Sequence, residues 1–186
     1  AQSVIEGFRD KKVVGITGPT EVTDEYKKNR DIFRFKQLYR LSCWLFKVPT
    51  RPGHLSPCGT PSMSSNFKEC GYEGPVEYLE CCNMSVRRVE ALNVGGYDLE
   101  YDYTSEWCEV DLALRLKSVG TLWFSQQVKL EHRPSVAGVY TARLRTSHRW
   151  RNFTKFQRRW IKPSFRRSLY WVWVWTYLTL KNTGLI

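Results

Sequence analysis

Three acidic residues at alternate positions form the group in this sequence whose types and spacing most resemble a catalytic site. The segment Tyr97 to Tyr103 carries Asp98, Glu100 and Asp102. On a β-strand these side chains would point to the same side, with neighbours about 6.8 Å apart along the strand. Glycoside hydrolysis requires two carboxyl groups about 5–9 Å apart, one to protonate the leaving oxygen and one to act as nucleophile or base. The spacing therefore makes these three residues catalytic candidates.

The same segment resembles the alternating acidic strand of some jelly-roll glycosidases, in which the pattern is Glu-x-Asp-x-Glu or a close variant. This chain carries Asp-x-Glu-x-Asp, so both glutamate positions of that pattern are replaced. The resemblance covers five residues and implies a glycan-hydrolysing enzyme. The alternative interpretation is a solvent-exposed acidic face that pairs with basic residues or binds a cation. We therefore place a glycoside hydrolase third among the candidate functions and expect a non-enzymatic protein.

Basic residues are concentrated in the last third of the chain. The 186 residues hold 29 Lys and Arg against 18 Asp and Glu, a net charge of +11. Residues 132–186 contain twelve of the basic residues and no acidic one, whereas residues 1–131 hold 17 basic and 18 acidic side chains. All of the excess positive charge therefore lies in an acid-free segment. Such a segment is typical of a surface that binds a polyanion.

Within this segment, aromatic and basic residues of positions 147–162 separate onto two faces of a helix. The aromatic face holds Trp150, Phe153, Phe156, Trp160 and Ile161, and the basic face holds Arg151, Lys155, Arg158, Arg159 and Lys162. The aromatic face would pack on the sheet while the cations face outward. Arginine binds phosphate or sulfate through two parallel hydrogen bonds. The candidate polyanion-binding residues are Arg143, Arg145, Arg149, Arg151, Lys155, Arg158, Arg159, Lys162, Arg166 and Arg167.

Several functions fit this basic surface. The leading hypothesis is a non-enzymatic structural protein that holds the backbone of RNA or another single-stranded nucleic acid, as a ribonucleoprotein or virion component. Six phosphate contacts would give a log-log salt slope of roughly −4 on single strands. The alternative is an exported, disulfide-bonded β domain that binds a sulfated glycan or an acidic protein receptor. Binding to a membrane surface and a merely solvated face are two further interpretations.

Six cysteines bear on the compartment in which the protein works. They are Cys43, Cys58, Cys70, Cys81, Cys82 and Cys108. They could form disulfides, with about fifteen possible pairings, or remain as reduced, partly buried thiols. The location, inside a cell or virion or outside the cell, depends on which state holds. Because the Cys and His residues lack the close pairs of a zinc site, and Gly15-Ile16-Thr17-Gly18 lacks the Gly-Lys-Ser/Thr of a phosphate-binding loop, we predict neither metal nor cofactor.

Alternating apolar residues predict that much of the chain is β-sheet. In residues 32–48 and 108–117, apolar side chains recur at every second position, which favours strands. Turn residues connect the second run to further strands at 122–130 and 139–145, in the pattern of an antiparallel meander. The fold class predicted is therefore mainly β (α+β), an antiparallel β-sandwich or barrel with one or two helices.

The one or two helices are expected at about 76–92 and 147–162. The first follows Pro75 and exits at Gly95 and Gly96, and these residue types suit the start and the end of a helix. Pro163 is a suitable end for the second helix.

The whole chain, residues 1–186, is expected to form a single domain. Residues 1–31 would be an N-terminal arm or edge strand, and residues 49–74 an irregular loop rich in Cys, Pro and Gly, of the kind that disulfides stabilise in exported proteins. The acid-free third, 132–186, belongs to the same domain.

A twelve-residue apolar run, Leu169–Leu180, lies near the end of the chain. On a strand, Trp171, Trp173 and Trp175 would share one face, and the opposite face is also apolar, which predicts a central buried strand. If the Trp row were exposed, it would mark a stacking platform or an interface with a protein partner or a second copy. The run is shorter than the roughly 17–25 residues of a membrane-spanning helix, so no transmembrane segment is predicted.

Overall fold

The computed structural model describes residues 2–22, 36–62, 71–101, 106–133 and 146–182. The helices in these ranges are α1 (Gln2–Gly7), α2 (Lys36–Leu45), α3 (Arg88–Asn93), α4 (Cys108–Leu116), α5 (Thr146–Trp160) and α6 (Phe165–Asn182). The strands are β1 (Val13–Thr17), β2 (Thr20–Val22), β3 (Gly74–Val76), β4 (Ser85–Val86), β5 (Thr121–Phe124) and β6 (Leu130–His132). Among the described residues, helices therefore outweigh strands.

The strands form two small sheets. Four of them lie in the order β3-β5-β1-β4, and β2 pairs with β6 in a second sheet. The inner strands β1 and β5 run parallel, while β3 and β4 pair antiparallel at the two edges. A mixed sheet of short strands is therefore present, and the predicted antiparallel sandwich or barrel is wrong.

Strand β1 lies inside the sheet and is buried over its whole length. This burial fits the apolar sequence VVGIT, since an inner strand covered on both faces needs no polar side.

At Gly18, directly after β1, a Cβ atom would collide with the carbonyl oxygens of Ser125 and Val128. The Asn83 amide donates to the carbonyls of Gly18 and Val128 at 3.1 and 2.8 Å. Glycine at this position therefore permits the close approach of two parallel chain segments.

Helix α4 occupies the segment in which the alternating pattern predicted a strand, at 108–117. Cys108, Leu112 and Leu116 also recur at helical spacing, and all three are buried. Acidic residues in the first turn and Arg115 in the last complement the helix dipole, and Asp111 pairs with Arg115 at 2.9 Å. A short apolar run does not by itself distinguish strand from helix. The strand prediction is wrong because leucine and alanine favour a helix here and its buried face is complete.

Helix α6 contains the run Leu169–Leu180, for which a buried strand was predicted. Tyr170 and Leu178 are buried on its inner side. The ring of Tyr170 lies 4.9 Å from that of Phe46 and 5.6 Å from that of Phe153, between centroids. Packing of these rings overrides the β preference of the aromatic and β-branched residues, so the strand prediction is wrong.

The Trp row predicted for one strand face is divided between core and surface. Positions two apart differ by about 200° around a helix and positions four apart by about 40°, so Trp173 lies on the other side of the helix from Trp171 and Trp175. Trp171 and Trp173 are half-buried against an aromatic cluster formed by Phe46, Phe153 and Tyr170, and Trp175 is exposed.

Two other segments differ from the prediction, one because its residues favour a helix and one because its residues pair with distant strands. Residues 36–45 form helix α2 instead of a strand, in a segment rich in the good helix formers Lys, Gln, Leu and Arg. The helix predicted at 76–92 is reduced to α3, which ends at Gly95 and Gly96 as expected. The residues before α3 supply β3 and β4 to the two edges of the sheet, so their backbone hydrogen bonds go to distant strands. The strand predicted at 139–145 lies outside the described residues.

Candidate functional site

The helix predicted at 147–162 is confirmed as α5, and its aromatic face is turned to the core. Phe153 and Phe156 are buried. The ring of Phe156 stacks on that of Trp107 at 4.7 Å between centroids, and Trp150 packs against Phe153 at 5.5 Å. Because these contacts bury the aromatic face, the opposite face of α5 must be presented to solvent.

Buried hydrogen bonds fix the rotation of α5 about its axis. The Gln157 amide donates to the carbonyl of Cys58 at 2.7 Å and accepts from the Trp171 indole at 3.2 Å. The Trp160 indole donates to Oδ1 of Asp111 at 2.7 Å. Such satisfied buried polar groups permit one orientation of the helix.

The outward face of α5 carries the predicted cations. Arg151, Arg158, Arg159 and Lys162 are exposed, and Lys155 is half-buried. Together with Thr154, all of them except Lys162 line a shallow, open depression of about 430 Å³. Among the described residues, Arg158 and Lys162 have no ionic partner, so their charge is available to a ligand.

An acidic turn, residues 98–100, covers part of this basic face. Oδ2 of Asp98 lies 2.9 Å from Nζ of Lys155 and 3.1 Å from Nη1 of Arg159, and Oε2 of Glu100 lies 2.5 Å from the same Lys155 nitrogen. Lys155 also lies 5.0 Å from the ring centroid of Tyr101. The carboxylates that suggested catalysis are thus placed on a turn and bind the basic helix; Asp102 lies outside the described residues.

The pairing changes the protonation of both partners. The hydrogen bond from Lys155 lowers the pKa of Asp98, although partial burial opposes it. Burial alone would lower the pKa of Lys155, but the hydrogen bonds and charges of Asp98 and Glu100 together raise it. A carboxylate held ionised in this way is a poor proton donor at neutral pH. The geometry of Asp98 favours a role as a counterion.

Arg159 is tied to a second carboxylate deeper in the protein. Asp111 is completely buried, and its Oδ1 lies 3.2 Å from Nη1 of Arg159. Arg115 and the Trp160 indole also bind Asp111. Arg159 therefore neutralises a buried charge, and a change at this position would leave Asp111 short of a partner.

The other predicted cations are distributed over different environments. Arg149 is half-buried and pairs with Glu106 at 3.0 Å. Arg167 turns inward, donating to the carbonyl of Ile161 at 2.8 Å and stacking on Trp171. Arg166 is half-buried and contributes positive charge near the Cys58 thiol. Arg143 and Arg145 lie outside the described residues. The structure thus brings Arg151, Lys155, Arg158 and Arg159 together. Lys162 lies beyond the end of α5, and Arg149 and Arg167 make other contacts.

The cysteines of the described residues carry free thiols, namely Cys43, Cys58, Cys81, Cys82 and Cys108. Cys70 lies outside the described residues, so disulfide formation remains a prediction. Burial raises the pKa of Cys82 to about 11 and that of Cys108 to about 12, and a protonated thiol is a weak nucleophile. Within the described ranges, no cluster of three or more His, Cys, Asp or Glu side chains is placed to hold a metal ion.

The alternative interpretation of the acidic segment, a face that pairs with basic residues, fits Asp98 and Glu100, whereas the pairing of Glu106 and Asp111 with α5 was not predicted. Glu106 is 43 residues from Arg149, Asp111 is 49 residues from Trp160, and Asp98 is 61 residues from Arg159. The acid-free character of 132–186 required that any ion pair be made with the first two thirds of the chain. No local pattern identifies Glu106 and Asp111 among those acids.

The fold and the site define an α+β protein with a cationic helix face on its surface. Comparison with family models, curated proteins and solved structures gives no match for this chain. None of the described helices combines the length and the apolar character that a membrane span requires.

Proposed function

We propose that the protein binds the phosphate backbone of nucleic acid, with RNA or another single strand as the preferred form, through the outer face of α5. The observation that carries this proposal is a row of exposed cations, with Arg151 and Arg158 on one side of a helix whose rotation is fixed and Lys162 two residues beyond the end of that helix. Arg151 and Arg158 lie about 10 Å apart along the helix axis, at 1.5 Å per residue.

This row suits a backbone ligand better than a compact one. The depression along it is shallow and open, with Arg151, Lys155 and Arg158 on its lining. A row of cations along an open surface can contact successive phosphates of one strand. Contacts of this kind position a strand without identifying its bases, so the expected binding is strong in low salt and indifferent to sequence.

The test neutralises the row while preserving the fold. In Arg151→Gln/Arg158→Gln/Lys162→Gln, three exposed charges are removed and glutamine maintains the helix. Arg159 is left unchanged because it faces the buried Asp111. The matched control is Lys11→Gln/Lys12→Gln/Arg88→Gln. It removes three exposed charges from residues 1–131, where basic and acidic side chains are nearly balanced.

Binding of a labelled single-stranded homopolymer RNA is measured by fluorescence anisotropy over a range of salt concentrations. Loss of three phosphate contacts should flatten the log-log salt slope by about 2, at roughly 0.7 per contact. The control should keep the wild-type slope. An unchanged slope in the α5 variant, with circular dichroism showing a folded protein, would reject the face.

The same row could hold the sulfates of a glycan, which was the alternative interpretation of the sequence. Guanidinium groups bind sulfate and phosphate through the same forked geometry, so the two ligands compete for one surface. In a competition experiment, displacement of RNA by heparin only at a large excess supports nucleic acid as the ligand. Heparin that binds more tightly than RNA of equal charge favours the glycan.

A further inference from the structure

The outer side of α6 is an exposed surface without charged residues. Phe165 is 80% exposed, Val172 63% and Trp175 55%, and Leu169 is also exposed. Between them on the same side lie only small or uncharged polar residues, Ser168, Thr176 and Thr179. At 100° per residue, all seven positions fall within about 120° of one another. Surface helices normally carry charges on the side away from the core, so this side is chemically unusual.

The opposite side of α6 is used for packing. Tyr170 and Leu178 are buried, and Val174 and Trp171 contact the aromatic cluster around Phe46 and Phe153. The helix is therefore fixed against the protein, and its exposed apolar side is not an alternative core face. Over 18 residues it extends for about 27 Å along the surface.

Positive charge accompanies the N-terminal end of this apolar side. Lys162 is exposed and Arg166 half-buried, three residues before and one residue after Phe165 in the chain. No acidic residue occurs anywhere in 132–186. An apolar helix side with cations at its end and an aromatic residue near each end is typical of helices that lie in the interface of an anionic membrane.

We propose that the outer side of α6, comprising Phe165, Leu169, Val172 and Trp175, binds the surface of an anionic phospholipid membrane. The apolar side chains enter the region between headgroups and acyl chains, and Lys162 and Arg166 contact the anionic headgroups. A second copy of this chain is a less suitable occupant, because a two-fold contact would bring the same cations together without acidic partners. The apolar side chains of α6 are not part of the cation row on α5, whereas Lys162, between the two helices, belongs to both surfaces.

The experiment compares two triple variants in vesicle flotation. Phe165→Gln/Val172→Gln/Trp175→Gln removes three exposed apolar side chains from α6. The control Ile5→Gln/Val89→Gln/Leu92→Gln removes three of similar exposure, 61%, 64% and 59%, from α1 and α3. The vesicles contain phosphatidylcholine with about a third phosphatidylserine, or phosphatidylcholine alone, and RNA binding is measured on the same proteins.

We expect the wild type and the control to float with the anionic vesicles, and the α6 variant to bind them about a hundredfold more weakly. RNA binding should be unaltered in the α6 variant, which separates this surface from the proposed function. Three results would each overturn the inference: a wild type that does not float, an α6 variant that floats as well as the wild type, or equal binding to uncharged vesicles. Sedimentation that shows a dimer dissociated by the α6 changes would also overturn it and assign the surface to a second copy.

Discussion

The acidic turn provides a direct way to change the charge available on α5. In Asp98→Asn/Glu100→Gln, both carboxylates that bind Lys155 become neutral amides. The positive potential of the α5 face should rise, since Lys155 loses its counterions. If the face binds single-stranded RNA, the variant should bind more tightly than the wild type.

The size of the effect follows from the two cations that the turn contacts. Lys155 is released completely, but Arg159 keeps its buried partner Asp111 at 3.2 Å. One additional phosphate contact is therefore expected, which steepens the log-log salt slope by about 0.7 on a single strand. At about 0.1 M salt this corresponds to roughly fivefold tighter binding.

The assay is anisotropy of labelled homopolymer RNA across a salt series. The control Glu6→Gln/Glu131→Gln removes two exposed acidic charges from other parts of the surface. The control raises the net charge by the same amount as the acidic-turn variant. Any non-specific gain in RNA affinity therefore appears in both variants. A slope in the acidic-turn variant that equals that of the control would refute the idea that Lys155 becomes available to phosphate.

Two further predictions concern stability. Because Lys155 lowers the pKa of Asp98 below its ordinary value of 3.8, the stabilisation from Asp98 is complete above that pH and is lost as the pH falls through the lowered pKa. In urea unfolding at a series of pH values, the deficit of Asp98→Asn relative to wild type should shrink below pH 3.8; a constant deficit would contradict the pairing. Phe156→Ala should lower the free energy of unfolding by about 3–5 kcal/mol, because the ring is fully buried and stacked on Trp107. A loss below about 1 kcal/mol would show that α5 does not pack through this face.

The parts of the fold that sequence predicted well are those with an unambiguous period. In α5, aromatic and basic residues separate by 100° steps over four turns, and that pattern fits no strand. The glycines at 95 and 96 ended α3 as expected, since both adopt a positive φ. The failures at 108–117 and 169–180 involve runs that fit both periods, where packing partners decide the outcome.

The sequence by itself determined that the excess positive charge lies in residues 132–186, that α5 has one aromatic and one basic face, and that every acidic partner must come from the first two thirds of the chain. Only the tertiary structure decided how much of that charge remains available. It placed Asp98 and Glu100 on Lys155 and buried Asp111 beside Arg159. It also turned the apolar side of α6 outward. The physical reason is that local periodicity fixes which residues share a face, whereas contacts between positions some 40 to 60 residues apart decide what each face meets.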